Sequence, residues 1–222
     1  MLALAAAVMA ISSPPPSTAR LDGCPEDTVV PLSYSAATIT HNNLGGQGPD
    51  SGAQKMSIVN VAENIDLEVV GDSGYDLGSE CSASGFPSGS TEIVKFALRR
   101  GSTSVVSYTF INSTTSQPVL LPAFYFSIID LDEDPANGIS QTLLAEGFSA
   151  YVLDPQTDLA ASCTSGAEPC SAAGVLIRSQ VEGGVGNPSD PWALTAAQQR
   201  ASVLFVFRNT SSFSLRHPHA RR

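Results

Sequence analysis

The chain has 222 residues, of which 42% are hydrophobic and only 14% are charged. This length can bury one ordinary hydrophobic core, and the hydrophobic fraction is too high for a disordered acidic chain. The formal net charge is −10, with 11 Lys and Arg residues against 21 Asp and Glu residues. A general nucleic-acid binder is therefore excluded, because that class of protein sets Lys and Arg against the phosphates.

The N-terminus is typical of a secretory signal peptide. An apolar run from Met1 to Ile11 precedes a Pro/Ser/Thr stretch, and Ser17 and Ala19 supply the small residues expected before a cleavage site at Arg20. No Lys or Arg precedes the run, so the alternative is a chain that begins within a longer protein. The run is too short to span a bilayer, and no later apolar stretch is long enough. We predict a secreted, extracellular protein without a membrane span.

In chain order, the dominant pattern is an alternation of apolar and polar residues with a period of two, which predicts half-buried strands. The strands are predicted at 65–69, 94–98, 103–111, 118–131, 148–153, 175–181 and 202–208. The run 118–131 is apolar on both faces, which predicts a central strand. Clusters rich in Gly and Pro separate the runs, and only 192–200 has the composition of a helix. About nine short strands with at most one short helix predict an all-β antiparallel β-sandwich, jelly-roll-like in type.

No internal repeat or linker divides the chain after its N-terminus. We predict a signal peptide at 1–19, a single β-sandwich domain at 20–213 and a basic tail at 214–222. All acidic residues lie between Asp22 and Asp190, whereas the tail carries three arginines and two histidines. The tail is expected to be solvated or to bind a polyanion, and the acidic remainder to attract cations.

The four cysteines predict two disulfide bonds, because an even number in a secreted chain is typical of a disulfide framework. Cys163 and Cys170 flank a short turn-forming loop and are expected to pair locally. Cys24 and Cys81 would then form a long-range bond. Three pairings are possible, and loop length alone favours this one. The cysteine spacing fits no zinc site.

Two sequons are compatible with N-glycosylation in a secretory pathway. Asn112 is followed by Ser113 and Thr114, and Asn209 is followed by Thr210 and Ser211.

The segment after the predicted central strand carries candidate metal ligands. Asp130 and Asp132 share one face, and two carboxylates at that spacing repel each other unless a cation or donor lies between them. Ca²⁺ is the natural candidate outside the cell because it prefers carboxylate and carbonyl oxygens, and Asp134 could add another. The segment is not an EF-hand, since Pro135 and Gln141 stand where that loop requires Gly and Glu. The alternative is an acidic turn whose side chains bond their own backbone.

A second oxygen-rich segment is the loop 42–52, which contains four glycines. Asn43 and Asp50 are candidate ligands that would complete the cation site or form part of a ligand-binding loop. The alternative is a long turn between the first strands.

Catalytic signatures are absent from the sequence, which has no G-x-S-x-G nucleophile motif and no Walker A motif. A glycosidase-like carboxylate pair that includes Glu92 or Glu146 stays open as an alternative. A carbohydrate-binding module is another alternative, for which aromatic side chains would have to be exposed for stacking on sugars. The candidates are Tyr75, Phe86, Tyr151 and Trp192, although packing is the commoner role of large aromatic residues.

Three stretches together carry a resemblance to known proteins: 42–50, 124–132 and 194–215. They resemble a class of secreted β-sandwich proteins from unicellular algae and other protists, and the F-x-F-x-x-x-D-x-D run is also similar to strands of bacterial extracellular sandwich modules. The resemblance implies secretion and a sandwich fold, and it carries no catalytic residues.

These patterns predict a secreted or cell-surface structural or adhesive β-sandwich module that Ca²⁺ stabilises. The expected partner is an extracellular protein or a glycan. A carbohydrate-binding module and a glycoside-acting hydrolase are the alternatives.

Overall fold

The computed structural model describes residues 3–7, 29–76, 84–86, 92–98, 102–131, 133–134, 139–166, 170, 174–180, 188, 190–218 and 220–221. For 3–7, 133–134, 139–140 and 220–221 it gives the backbone alone. The strands in these ranges are β1 (Ala3–Ala7), β2 (Thr38–Asn42), β3 (Lys55–Ala62), β4 (Ile65–Gly71), β5 (Val94–Ala97), β6 (Ser104–Asn112), β7 (Leu121–Ile129), β8 (Glu133–Asp134), β9 (Ile139–Ser140), β10 (Thr142–Ala145), β11 (Ala150–Leu153), β12 (Leu159–Cys163), β13 (Val175–Ser179), β14 (Val203–Thr210), β15 (Ser212–His217) and β16 (Ala220–Arg221). The helix α1 is Ala196–Arg200.

The strands form two large antiparallel sheets and one small one. The eight-stranded sheet has the order β12-β13-β10-β15-β6-β4-β3-β2, and the five-stranded sheet has the order β11-β14-β7-β1-β5. A three-stranded sheet contains β16, β9 and β8. The predicted all-β antiparallel sandwich is confirmed. More strands are present than the nine predicted, because β2 and β3 are partly polar and several other strands have only two residues.

Aromatic side chains fill the space between the two large sheets. Phe124 and Phe207 of the five-stranded sheet stack with ring centroids 5.1 Å apart. Across the interface, Phe110 lies 4.7 Å from Phe124 in an edge-to-face arrangement, and Phe213 lies 4.4 Å from Phe207. All four side chains are buried. The period-two pattern of β14 and β15 therefore has a direct physical cause, because one face of each strand lies against this cluster.

Strand β7 is buried on both faces, as its sequence predicts. It pairs with β14 on one side and with β1 on the other. Its residues Phe126 and Ile128 belong to the aromatic core, whereas Ile129 packs with Ile93 and Leu194 in a second, smaller cluster on the opposite face. The absence of polar alternation in this segment thus reflects burial on two sides.

Helix α1 is shorter than the run 192–200 that favours it. It begins after Thr195, whose hydroxyl accepts a hydrogen bond from the backbone N–H of Gln198, while the Gln198 side chain accepts one from the backbone N–H of Thr195. This capping box fixes the first turn and explains why the helix starts at Ala196.

The strand register defines two ends of the sandwich. At one end, which we call the hairpin end, three turns lie side by side, where Ile65 pairs with Asn112, Leu121 with Thr210, and Ser212 with Thr109. At the opposite end, which we call the loop end, lie the chain from 42 to 55, the turn that follows β4, and the end of β7.

Both of the predicted terminal segments, the signal peptide and the basic tail, contain strand residues in the structure. Ala3–Ala7, inside the predicted signal peptide, pairs with β5 and β7. At the other terminus, β15 runs through His217 and pairs with β6, and both Leu215 and His217 are buried. The sandwich therefore continues past the boundary predicted at 213, because Leu215 and His217 alternate with exposed residues and complete the same strand.

Candidate functional site

The Gly-rich loop between β2 and β3 is held by hydrogen bonds from its own polar side chains. The Asp50 carboxylate accepts the backbone N–H of Asn42 at 2.7 Å, and the backbone N–H of Asp50 donates to the Asn42 carbonyl at 3.0 Å. The Asn43 side chain accepts the N–H of Gly48 at 3.0 Å and donates to the carbonyl of Gly52 at 3.0 Å. Asn43 and Asp50 therefore both take part in the hydrogen bonds that hold this loop.

These hydrogen bonds use side-chain oxygens of Asn43 and Asp50, the two predicted calcium ligands of this loop. The amide oxygen of Asn43 and one carboxylate oxygen of Asp50 hold the loop backbone, which is the behaviour expected of a structural turn. The Asp50 side chain is nevertheless 50% exposed, and its carboxylate lies 4.0 Å from Nδ1 of His41. It keeps access to solvent and could still contribute an oxygen to a cation.

The ring of Tyr75 packs against the backbone of the Gly-rich loop at Gly45. Gly45 has a φ of +64°, and any Cβ at this position would overlap the Tyr75 ring. The Tyr75 hydroxyl donates to the carbonyl of Ala97 at 3.0 Å and lies 2.8 Å from Oγ of Ser84. One tyrosine thus joins the loop of the eight-stranded sheet to the edge of the five-stranded sheet.

The segment 84–86 closes the sandwich between the edge strands β2 and β5. Gly85 exchanges two backbone hydrogen bonds with Lys95, both 2.9 Å long. On the other side, Nδ2 of Asn42 donates to the carbonyl of Ser84 at 2.7 Å. The sequence pattern does not reveal this closure, because its partners come from three distant segments.

Two buried polar atoms beside this segment have no hydrogen-bond partner within the described chain. They are the hydroxyl of Tyr34 and Oδ1 of Asn42. The Tyr34 ring lies edge-on to Phe86 at 6.0 Å, and burial raises the pKa of Tyr34. Burial, followed by the neighbouring Tyr34 and Tyr75 hydroxyls, raises the pKa of Tyr108 well above its ordinary value. Sequence reasoning offers no signal for this group of tyrosines.

Asp130 occupies the other oxygen-rich segment of the loop end. It follows β7, is 3% exposed and has a φ of +71°. The next residue, Leu131, donates its N–H to the carbonyl of Ala201 at 2.9 Å. The side chains of Asp132 and Asp134 lie outside the described residues. Asp130 thus lies at the end of the five-stranded sheet, whereas Asn43 and Asp50 lie at the same end on the eight-stranded sheet.

Among the described side chains, no group of three or more His, Cys, Asp and Glu residues is arranged to hold a metal ion. The side chain of Asp132 is not among those described. The calcium site therefore stays a prediction.

The predicted local disulfide is confirmed. Cys163 and Cys170 are bonded, with their Cα atoms 4.7 Å apart. The bond ties the end of the edge strand β12 to the segment that follows it, and Cys170 is buried beside the hydroxyl of Tyr151. Cys24 and Cys81 lie outside the described residues.

The four aromatic candidates for sugar stacking differ in exposure. Tyr75 is buried, and Phe86 and Tyr151 are half-buried. Trp192 is 56% exposed, and its backbone N–H donates to the Asp190 carboxylate at 2.8 Å. Of the two acids considered for hydrolysis, Glu92 is half-buried and Glu146 is exposed.

Comparison of the chain with protein-family models, with curated proteins and with solved structures finds no match. The resemblance to algal and protist sandwich proteins therefore stays a prediction. Within the described ranges, no helix has the length and apolar character needed to cross a membrane.

Proposed function

We propose that this chain is a secreted or cell-surface β-sandwich module with a structural or adhesive role, and that Ca²⁺ stabilises its loop end. The observation that carries the proposal is the placement of Asp130 and of the loop that contains Asp50 at one end of the two-layer fold. Asp130 directly follows the central strand of one sheet, and the loop that contains Asp50 joins the edge strand β2 of the other sheet to its neighbour β3.

The Gly-rich loop at the loop end is held in place by hydrogen bonds, which favours ligand binding there. Loops that bind ligands are usually presented by a rigid scaffold, and preformed loops lose less entropy on binding. Here Asp50 and Asn43 tie the Gly-rich loop to its own backbone, and Tyr75 anchors the loop to both sheets. The formal net charge of −10 also favours a cation over an anion.

Thermal unfolding with calcium and with EDTA tests the cation. A ligand that binds only the folded state raises the melting temperature by mass action, so added CaCl₂ should raise it and EDTA should reverse the increase. The double variant Asp130→Asn/Asp132→Asn should lose the response. Glu63→Gln, an exposed acid at the hairpin end, is the matched control and should keep it. An identical curve with and without calcium would leave only an acidic turn.

Bead aggregation tests the adhesive role. Beads coated with the protein should cluster in CaCl₂ and disperse in EDTA, and beads coated with the double variant should not cluster. Calcium-dependent stabilisation without clustering would support the structural role and contradict adhesion between copies of this chain.

Trp192 favours a second candidate function, that of a carbohydrate-binding module. An exposed indole is a suitable surface for stacking on a sugar ring, and Trp192 is the one tryptophan of the chain. A glycan array should then give hits that Trp192→Ala removes, whereas Leu120→Ala, which also truncates an exposed apolar side chain, should retain them. An array without hits would contradict this candidate.

A further inference from the structure

The two sequon asparagines lie at the same end of the sandwich. Asn112 ends β6 and pairs with Ile65, and Asn209 is the penultimate residue of β14. The strand that follows Asn209 pairs with β6, and Phe110 donates its N–H to the carbonyl of Ser211 at 2.9 Å. Both asparagines therefore belong to adjoining turns of the hairpin end.

The side-chain amides of these two residues differ from those of three other asparagines. Nδ2 of Asn42, Asn43 and Asn60 each donates a hydrogen bond of 2.7–3.0 Å to a backbone carbonyl, so these amide nitrogens are part of the fold. Within the described structure, Nδ2 of Asn112 and of Asn209 donates no hydrogen bond. Substitution of these two nitrogens therefore breaks no hydrogen bond of the described structure.

Local geometry supports this distinction. Oδ1 of Asn112 accepts the N–H of Thr114 at 3.0 Å and that of Thr115 at 2.9 Å, so the side chain is oriented through its oxygen alone. Ser113 and Thr114 are exposed. Asn209 is exposed as well, with a φ of +47° that Asn tolerates better than most residues.

We propose that both asparagines are N-glycosylated, so that the hairpin end carries the glycans and the loop end is left free for contacts. This inference rests on the secretion included in the proposed function. The donor is an oligosaccharide linked through its anomeric carbon to a polyprenyl diphosphate. The amide Nδ2 forms a bond to that carbon and loses one proton, while the bond from carbon to diphosphate oxygen breaks and the diphosphate leaves with the electron pair.

The position of the glycans has a consequence for the module. A branched glycan is bulky and hydrated, and it keeps other macromolecules away from the surface that carries it. Glycans at the hairpin end would cover the turns around Ile65 and Thr210 but would leave Asp50 and Asp130 uncovered. The placement thus fits contact through the loop end.

The test uses the full chain in a eukaryotic secretory host, once with its own N-terminus and once behind a proven cleavable leader. Each attached glycan should lower the electrophoretic mobility of the protein by one step. Both steps should disappear after treatment with an amidase that releases N-glycans and converts the attached Asn to Asp. Thr114→Ala and Ser211→Ala each remove one sequon while the asparagine stays, and each should remove one step. Ser113→Ala preserves the sequon and is the matched control.

The two arms separate the possible failures. Glycans in both arms support the inference and secretion together. Glycans only behind the added leader support the inference and contradict secretion by the chain's own N-terminus. An amidase-insensitive protein that is exported behind the added leader overturns the inference, whatever the first arm gives. Occupancy of one site alone overturns the inference for the other.

Discussion

The hydroxyl of Tyr34 is buried without a hydrogen-bond partner in the described chain, whereas the hydroxyl of Tyr75 has two contacts. A buried polar group without a partner costs free energy, and its removal relieves that cost. We therefore expect Tyr34→Phe to leave the free energy of unfolding unchanged or to raise it by up to about 1 kcal/mol. Urea denaturation monitored by circular dichroism measures the change.

Tyr75→Phe is the matched comparison, because it removes one hydroxyl from the same region. It should lower the free energy of unfolding by about 1–2 kcal/mol, since the carbonyl of Ala97 loses its donor in a buried place. If Tyr34→Phe were as destabilising as Tyr75→Phe, the Tyr34 hydroxyl would have a partner such as an internal water.

His217 makes stability depend on pH. The side chain is 9% exposed in β15, and burial lowers its pKa from 6.5 to about 4. Between these two values the unfolded chain binds a proton that the folded chain does not. The free energy of unfolding should therefore fall as the pH falls from 6.5 to 4, by about 3 kcal/mol in total.

Denaturation between pH 7 and pH 5.5 isolates this histidine best, because most carboxylates titrate lower. His217→Gln should flatten the pH dependence in that interval. His41→Gln, which changes a more exposed histidine at the loop end, should retain it. A steep dependence that survives in His217→Gln would assign the effect to another group.

The Gly-rich loop depends on the close approach of its backbone to Tyr75. Gly45→Ala would make a Cβ overlap Cδ1 of the Tyr75 ring and would also force a side chain into a left-handed conformation. Together these effects should lower the free energy of unfolding by about 3 kcal/mol. Gly52→Ala, with a φ of +100° and nothing within 4 Å of the new Cβ, carries the backbone strain alone and should cost about 1–2 kcal/mol. Equal losses in chemical denaturation would contradict the packing role of Tyr75.

At the level of strands, the sequence best predicts the strands that have one apolar, buried face and one polar, exposed face. The alternation of Val203, Phe205 and Phe207 predicts β14, and all three residues are buried. Strand β15 extends past the tail boundary predicted at 213, and the sequence hides this for a physical reason. Ser214 and Arg216 are polar and face solvent, and they mask the alternation with the buried residues Leu215 and His217.

The candidate site is less predictable than the strands. Asn43 and Asp50 are found in a Gly-rich loop, as composition predicts, because turn residues act locally. Their hydrogen bonds to Gly48, Gly52 and Asn42 depend on the exact course of the loop backbone, which no periodicity encodes. The contact between Tyr75 and Ser84 requires knowledge of the strand order.

At the scale of the whole molecule, Phe213 is one of the residues that join the two sheets. Phe213 lies on β15 of the eight-stranded sheet, with its ring 4.8 Å from Tyr108 and from Phe126 and 4.4 Å from Phe207. Because two of these partners belong to the five-stranded sheet, the stability of each sheet depends on the other. The two layers should therefore unfold together in a single transition.

Phe213→Ala tests this coupling. Removal of a large buried ring leaves a cavity and should lower the free energy of unfolding by about 3–5 kcal/mol. For a chain of this size that corresponds to a fall in melting temperature on the order of 10 °C. Far-UV and near-UV circular dichroism should shift together, because backbone and aromatic packing are lost in one step. Leu120→Ala, at an exposed position, should leave both curves nearly unchanged. Separate transitions in the two signals would show that the sheets are independent layers.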